Sequence, residues 1–155
     1  MKSRMNLAQV APDAMKAMRA LQGYVDASPL EHSLLELVKM RASQLNGCAY
    51  CLDMHSKDAR AAGETEQRLY LLDAWRESPF YSPRERAALA WTEALTEVAK
   101  THAPDDVYEE ARARFSEKEL ADLTMAIVAI NGWNRIAIGL RSPVGTYQPA
   151  KAKAV

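Results

Sequence analysis

Hydrophobic residues recur along most of the chain with the spacing of an α-helix. Apolar side chains that repeat every 3.6 residues lie on one face of a helix, where they can pack against a core. The clearest stripe is formed by Ala87, Trp91, Ala94, Leu95, Val98 and His102. The same pattern predicts helices near 12–25, 29–45, 48–62, 65–76, 83–102, 104–115 and 117–140. We therefore expect a bundle of about six to seven helices.

Helix boundaries are also marked in the sequence. In a capping box, a serine side chain accepts a hydrogen bond from the backbone of a glutamate three residues on, and that glutamate caps the serine amide. The pattern occurs three times, at 28–31, 82–85 and 116–119, and predicts three helix starts. Asn46-Gly47 predicts a break between two helices, and Gly63 is placed to end the helix near 48–62.

The last predicted helix is apolar on nearly every side. Between 120 and 130 its single charged residue is Asp122. A helix of this kind is covered on most faces, and a neighbouring subunit is a source of that cover in a chain of this size. The tail from Pro143 onward shows no such pattern, and we expect it to be loose or to lie on a partner.

Composition supports a soluble, all-α protein. The chain has 155 residues, which is typical of a single domain, here 1–155 with a core at about 12–142. It contains 27 Ala but 12 Ile and Val together, a balance that favours helices over sheets. Twenty basic residues balance twenty acidic ones, so a dedicated nucleic-acid binder is not expected.

The sequence shows neither of two targeting patterns, a membrane span or a secretory signal. No apolar run approaches the roughly 18 residues that a membrane span requires. The basic residues near the start are not followed by the apolar segment of a secretory signal. We expect a cytoplasmic protein that contacts neither membranes nor nucleic acids.

The candidate chemistry lies in a Cys-x-x-Cys motif formed by Cys48 and Cys51, with His55 four residues further on. At about 100° per residue, the three side chains fall within roughly 60° on one helix face. Gly47 breaks the preceding helix, so Cys48 lies at a helix N-terminus, which stabilises a thiolate. His55 can take or return a proton near neutral pH. The segment therefore favours redox chemistry.

Three other interpretations of these residues stay open at this point. A structural disulfide would stabilise the fold little, because the loop it closes is very short. A metal could bind Cys48, Cys51 and His55, with Glu36 as a further ligand, although structural zinc usually has four ligands from two distant pairs. The thiols could also be inert core residues, since free cysteines are commonly buried.

The segment from Glu36 to His55, ELVKMRASQLNGCAYCLDMH, resembles the alkylhydroperoxidase D-like family of the carboxymuconolactone decarboxylase superfamily. The stretch 130–135, Ile-Asn-Gly-Trp-Asn-Arg, is similar to that family's Ile-Asn-x-Trp-Asn-Arg motif. With the helix order, the resemblance covers about 12–142. It implies an all-helical fold, usually trimeric or hexameric, with antioxidant peroxidase activity. It also implies an external dithiol electron donor, such as a lipoyl-bearing or thioredoxin-like protein, with no bound cofactor or metal.

The resemblance assigns roles residue by residue. Cys51 matches the thiol that attacks the peroxide and becomes a sulfenic acid, and Cys48 matches its proton donor and resolving partner. Glu36 and His55 match the proton relay. The position before the second cysteine is histidine in some members. Here it is Tyr50, whose intrinsic pKa of about 10 prevents proton transfer at neutral pH.

Two considerations give opposite expectations for which of the two thiols is more acidic. The helix terminus favours Cys48, whereas proximity to His55 favours Cys51. We expect Cys51 to be the nucleophile, because a base one turn away supplies both deprotonation and orientation.

The sequence thus predicts a peroxidase or disulfide oxidoreductase that reduces hydroperoxides through its thiol pair. One alternative is a lyase of the carboxymuconolactone decarboxylase type, which needs no thiol pair. Another is a redox-sensing or metal-binding oligomer without turnover.

Overall fold

The computed structural model describes residues 2–149, and in this part of the chain the regular structure is entirely helical. The fold class is therefore confirmed as all-α. The helices are α1 (Leu7–Val10), α2 (Pro12–Asp26), α3 (His32–Asn46), α4 (Ala49–Ala61), α5 (Glu66–Tyr70), α6 (Pro83–Thr96), α7 (Val98–Thr101), α8 (Asp105–Arg112) and α9 (Glu117–Leu140). A 3₁₀ turn at Leu72–Ala74 follows α5. The short α1 has no counterpart among the predicted helices.

Two of the three predicted capping boxes are present. At Ser82 and at Ser116 both reciprocal hydrogen bonds form, and α6 and α9 begin directly afterwards. These local contacts satisfy backbone N–H groups that a helix start leaves without partners. The predicted starts of both helices are therefore confirmed.

The capping box predicted at Ser28 is wrong, because α3 begins at His32, after the box. The Glu31 carboxylate instead accepts a hydrogen bond from Arg84, at 3.0 Å. The non-helical backbone before His32 lets Leu30 enter the core, where it is 5% exposed. Tertiary contacts thus override the local capping signal.

The predicted helices near 65–76 and 83–102 are each interrupted. The first ends at Tyr70 and is followed by the 3₁₀ turn at Leu72–Ala74, after which the Arg86 guanidinium donates to the carbonyls of Trp75, Arg76 and Ser78. The second breaks at Glu97, between α6 and α7. The predicted break at Gly47 is confirmed, with a left-handed φ of 66°.

Helix α3 forms the centre of the fold. It packs against α4, α6 and α9, and ten consecutive residues, 34–43, are buried. Where α3, α4 and α9 meet, both cysteines lie in a small cluster with Ala42, Ile130 and Ala137. The candidate chemistry therefore lies inside the protein, not on its surface.

The expectation that no apolar run approaches a membrane span is wrong for helix α9, which is long and apolar enough to cross a membrane by length and composition, a test that core helices of soluble proteins also pass. It packs against α2, α3, α4 and α6, so cover on most faces comes from the same chain. Its buried residues include Asp122 and Asn134. Val128 and Ile138 are about half exposed on its outer side.

The described part of the tail, 143–149, contacts α4 of its own chain. The Gly145 N–H donates to Asp53, Lys57 donates to the Tyr147 carbonyl, and the Tyr147 hydroxyl donates to Asp58. This part of the tail is therefore held by α4 rather than loose, and its contact with a partner stays a prediction. Positions 150–155 lie outside the described residues.

The capping analysis predicts unequal effects of two similar substitutions. Ser82→Ala should lower the free energy of unfolding by about 1 kcal/mol, since it removes a helix cap. Ser28→Ala should change it little, because the buried Ser28 hydroxyl has no hydrogen-bond partner in the described structure. Urea denaturation of both variants measures the difference. Equal losses would contradict the assigned helix starts.

Candidate active site

The two thiols form the centre of the site. Cys48 is the N-cap of α4 and Cys51 lies in its first turn. Each is 1% exposed, and both are free thiols with Sγ atoms 2.6 Å apart. A disulfide bond is about 2.05 Å long, so oxidation by two electrons with loss of the thiol protons would join them after a small movement of the side chains.

The contact between the sulfurs separates the pKa values of the two thiols. The hydrogen bond from Cys51 lowers the pKa of Cys48 to about 7, against the effect of burial. Backbone hydrogen bonds from Cys51 and Tyr50, at the start of α4, act in the same direction. The same pairing, together with burial and the charge of Cys48, raises the pKa of Cys51. The pair therefore loses one proton near neutral pH and retains the second.

This distribution of charge differs from the expectation that His55 makes Cys51 the more acidic thiol. The His55 Nδ1 atom instead contacts Glu36 Oε2 at 2.9 Å. The backbone hydrogen bonds at the helix start, on which the expectation for Cys48 rested, act in the same direction as the larger effect of the Cys51 hydrogen bond.

Polar side chains from α3 and α9 support the thiols from within the core. Asn134 is fully buried; its side chain lowers the pKa of Cys48, and Asn134 and Ser43 both oppose the rise in the pKa of Cys51. The Asn134 amide also donates to Ser43 Oγ at 3.0 Å and accepts from Asn46 at 2.8 Å. Sequence reasoning did not connect these residues with the thiols. For Asn134 the signal was its place in the motif at 130–135.

Glu36 and His55 connect α3 to α4 beside the thiols. Both are buried, at 4% and 7% exposure, and Glu36 Oε1 also accepts from Lys39 at 2.9 Å. Burial raises the pKa of Glu36, but the hydrogen bonds and charges of His55 and Lys39 outweigh it and lower the pKa to about 2. The carboxylate therefore remains ionised throughout the physiological range.

A cavity of about 880 Å³ opens beside these groups. Cys51, His55 and Glu36 line it, whereas Cys48 is not among the lining residues. Most of the remaining wall is apolar and includes Met15, Leu35, Met54, Trp133 and Ile136. A ligand in the cavity would therefore meet Cys51, while Cys48 stays behind it.

Two tyrosine side chains also line the cavity. Tyr50 stands at the predicted position before Cys51, and Tyr147 comes from the tail. The Tyr147 hydroxyl donates to Asp58 at 2.7 Å. Burial and this hydrogen bond raise the pKa of Tyr147 to about 12. Neither Asp58 nor Tyr147 was predicted, because nothing in the local pattern brings the tail to α4.

The metal-binding alternative takes a different form in the structure. Among the described residues, Glu36, His55 and Asp58 place potential ligand atoms within 4.8 Å of one another. The two thiols do not belong to this group. The Lys39 ammonium, 2.9 Å from Glu36, competes with any cation there. The group found thus shares His55 and Glu36 with the metal-binding alternative, but contains Asp58 in place of the two thiols.

The chain is similar in sequence to a known protein family and in sequence and fold to individual proteins. The family model described as the carboxymuconolactone decarboxylase family matches residues 12–94. The uncharacterized protein YdfG of Bacillus subtilis is 44% identical over 90% of this chain and 95% of its own length. ATU0492 of Agrobacterium tumefaciens, a protein of unknown function described as a candidate AhpD antioxidant defence protein, is 51% identical. Its crystal structure has a TM-score of 0.91, over 94% of this chain and all of that one.

A more distant structure shows the same fold. The debrominase Bmp8 is 24% identical, with a TM-score of 0.78 over 87% of this chain and 73% of that one. At this level of identity the likeness concerns the arrangement of helices alone.

The lowered pKa of Glu36 makes its contribution to stability depend on pH. A carboxyl group whose pKa falls on folding stabilises the protein above its unfolded pKa of about 4.5 and loses that effect as the pH falls towards 2. Glu36→Gln should therefore lose up to about 3 kcal/mol at pH 7, and the loss should shrink below pH 4.5. Urea denaturation between pH 7 and pH 3 measures it, with Glu66→Gln on the surface as control. A constant difference would contradict the assignment.

The sulfur contact predicts the titration of the thiols. In the wild type, one thiolate should form near pH 7 and the second should not form below pH 9, as followed by thiolate absorbance at 240 nm. In Cys51→Ala the pKa of Cys48 should rise towards its ordinary value of about 9, because the hydrogen bond from Cys51 is lost. An unchanged midpoint in this variant would show that the contact does not control the pKa of Cys48.

Proposed function

Because the chain belongs to the carboxymuconolactone decarboxylase family, we propose that it is an alkylhydroperoxidase D-like enzyme that reduces hydroperoxides through Cys48 and Cys51. The observation that supports this most directly is the 2.6 Å contact between the two sulfurs, one of which lines an apolar cavity. The buried Glu36–His55 pair lines the same cavity. A nucleophile, a resolving thiol and a proton relay therefore come together at one place.

The first step is attack of Cys51 on the hydroperoxide. The resting pair carries one negative charge, and transfer of the remaining proton from Cys51 to Cys48 across the sulfur contact gives the reactive thiolate. Its sulfur forms a bond to the terminal peroxide oxygen as the O–O bond breaks, which oxidises Cys51 to a sulfenic acid. The leaving alkoxide takes a proton from the His55 ring of the Glu36–His55 pair and departs as the alcohol, and the pair regains that proton from solvent.

Cys48 then resolves the sulfenic acid. Its sulfur bonds to that of Cys51, and the hydroxyl group leaves as water with the proton of the Cys48 thiol. One hydroperoxide thus accepts two electrons and yields an alcohol, a water molecule and a disulfide. Both sulfurs lie close enough for this step without rearrangement of the helices.

The choice of Cys51 as nucleophile rests on access. Cys48 is the more acidic thiol, but it lies behind Cys51 and outside the cavity wall. A thiol must contact the peroxide oxygen to react, whereas its proton needs to move only across the short contact to the neighbouring sulfur. Cys48 is therefore the thiol that ionises first, and Cys51 is the thiol that attacks the peroxide.

An external dithiol completes the cycle. Its thiolate attacks the Cys48–Cys51 disulfide, and the mixed disulfide that forms is released by the second donor thiol. A lipoyl-bearing or thioredoxin-like protein in the cytoplasm would supply these electrons. We also propose that the protein works as a homo-oligomer, either a trimer or a hexamer.

Substitutions of the thiols and of the relay test the proposal. Cys51→Ser should abolish turnover of cumene hydroperoxide, and Cys48→Ser should stop after a single turnover. Glu36→Gln should slow the reaction by about a hundredfold or more, since it removes part of the proton relay. A coupled assay with dihydrolipoyl protein, thioredoxin or glutathione as donor measures each rate.

Three outcomes would contradict the proposal. Wild-type rates in Cys51→Ser would exclude the assigned nucleophile. A wild-type enzyme that is inactive with all three donors would favour a redox sensor. Lactone turnover that survives in the Cys48→Ser/Cys51→Ser double variant would favour the lyase.

A further inference from the structure

Helix α3 buries two cationic side chains whose surroundings differ. Arg41 is 8% exposed and has three acceptors, Glu93 at 2.7 Å, Gln44 at 3.1 Å and Asp73. These contacts occupy the guanidinium and tie α3 to the elements that follow it. Arg41 is therefore accounted for by the fold.

Lys39 lies on the opposite side of α3, because two residues correspond to a rotation of about 200°. It is 7% exposed and lines the same cavity as Cys51. Its ammonium donates to Glu36 at 2.9 Å, and the next carboxylate, Asp26, is 4.0 Å away, beyond hydrogen-bond distance. An ammonium has three N–H donors. The contacts found in the described structure therefore use one of them.

Such an ammonium is suited to bind an oxygen atom that carries negative charge. Burying a cation costs free energy unless its donors find partners. Cleavage of a peroxide bond creates such a partner, because the departing oxygen becomes an alkoxide before it is protonated. A donor fixed on a buried side chain beside a largely apolar wall stabilises developing charge more than the same donor in water.

The other charged groups around the cavity make this role specific to Lys39. The carboxylates of Asp26, Glu36 and Asp58 also line the wall, as do His55 and the largely exposed His32. Together with the thiolate, the carboxylates would repel an anionic oxygen. Lys39 is the lysine of this wall and the group that offsets that repulsion while His55 supplies the proton.

We propose that Lys39 is a further catalytic residue, whose ammonium binds the leaving oxygen of the hydroperoxide and stabilises the alkoxide as the O–O bond breaks. This role rests on the proposed function. Lys39 keeps its proton throughout, and the proton that converts the alkoxide to the alcohol comes from the Glu36–His55 pair. If Lys39 had only a structural role, its ammonium would fix the Glu36 carboxylate and would not contact the leaving oxygen.

Charge-selective alkylation tests this role independently of turnover. Iodoacetate and iodoacetamide have the same leaving group, but iodoacetate carries a negative charge. Lys39→Met should lower the ratio of their rates at Cys51 by about tenfold, because an attractive charge is removed, whereas Lys39→Arg should largely keep it. Glu36→Gln should raise the ratio, since the ammonium loses its carboxylate partner. Lys100→Met, at an exposed position, is the matched control.

The steady-state rates give the second readout. Lys39→Met should lower kcat for cumene hydroperoxide by about a hundredfold, with a smaller change in KM. An unchanged alkylation ratio in Lys39→Met, or failure of both reagents to label Cys51, would overturn the role of Lys39. If the ratio falls but the wild type does not reduce peroxides, the anion-binding role stands and the proposed function fails.

Discussion

The left-handed backbone at Gly47 is the constraint on which the site depends. With a φ of 66°, the chain reverses between α3 and α4, so that the two helices pack side by side. A Cβ atom at this position would meet no neighbouring atom within 4 Å; the requirement for glycine is therefore conformational and not steric. The reversal makes Cys48 the N-cap of the new helix and returns His55 to the level of Glu36.

The site functions as a set of buried charges that compensate one another. A thiolate on Cys48 is supported by Asn134 and by backbone amides, and the carboxylate of Glu36 is supported by His55 and Lys39. Each charge would be costly to bury alone. Together they permit a proton, a negative charge and two electrons to move over short distances inside an apolar cavity. This compensation explains why the polar groups lie on three different helices around the two sulfurs.

The local sequence pattern predicted most of the fold, because helix periodicity and helix caps depend on residues that are close together in the sequence. Periodicity placed α2 and α9 within about a residue at each end, and the capping boxes fixed the starts of α6 and α9. The signal failed at Ser28, where burial of Leu30 and the ion pair of Glu31 outweigh a cap worth about 1 kcal/mol. Such contacts are set by residues far away in sequence, and no local pattern contains them.

The same distinction applies to the site. Helical spacing was enough to group Cys48, Cys51 and His55, but Glu36 was added by family resemblance. Ser43, Asn134 and the Tyr147–Asp58 contact were found only in the structure. In each case the missing information was which helix or tail packs against which.

The central claim is that the two sulfurs act as one redox unit. It is tested most directly by mixing reduced protein with one equivalent of hydroperoxide, without a reductant, and following both products by rapid-quench mass spectrometry. The account predicts one Cys48–Cys51 disulfide, a loss of two hydrogen atoms, for each alcohol formed. Consumption of the hydroperoxide while both thiols remain reduced would contradict it.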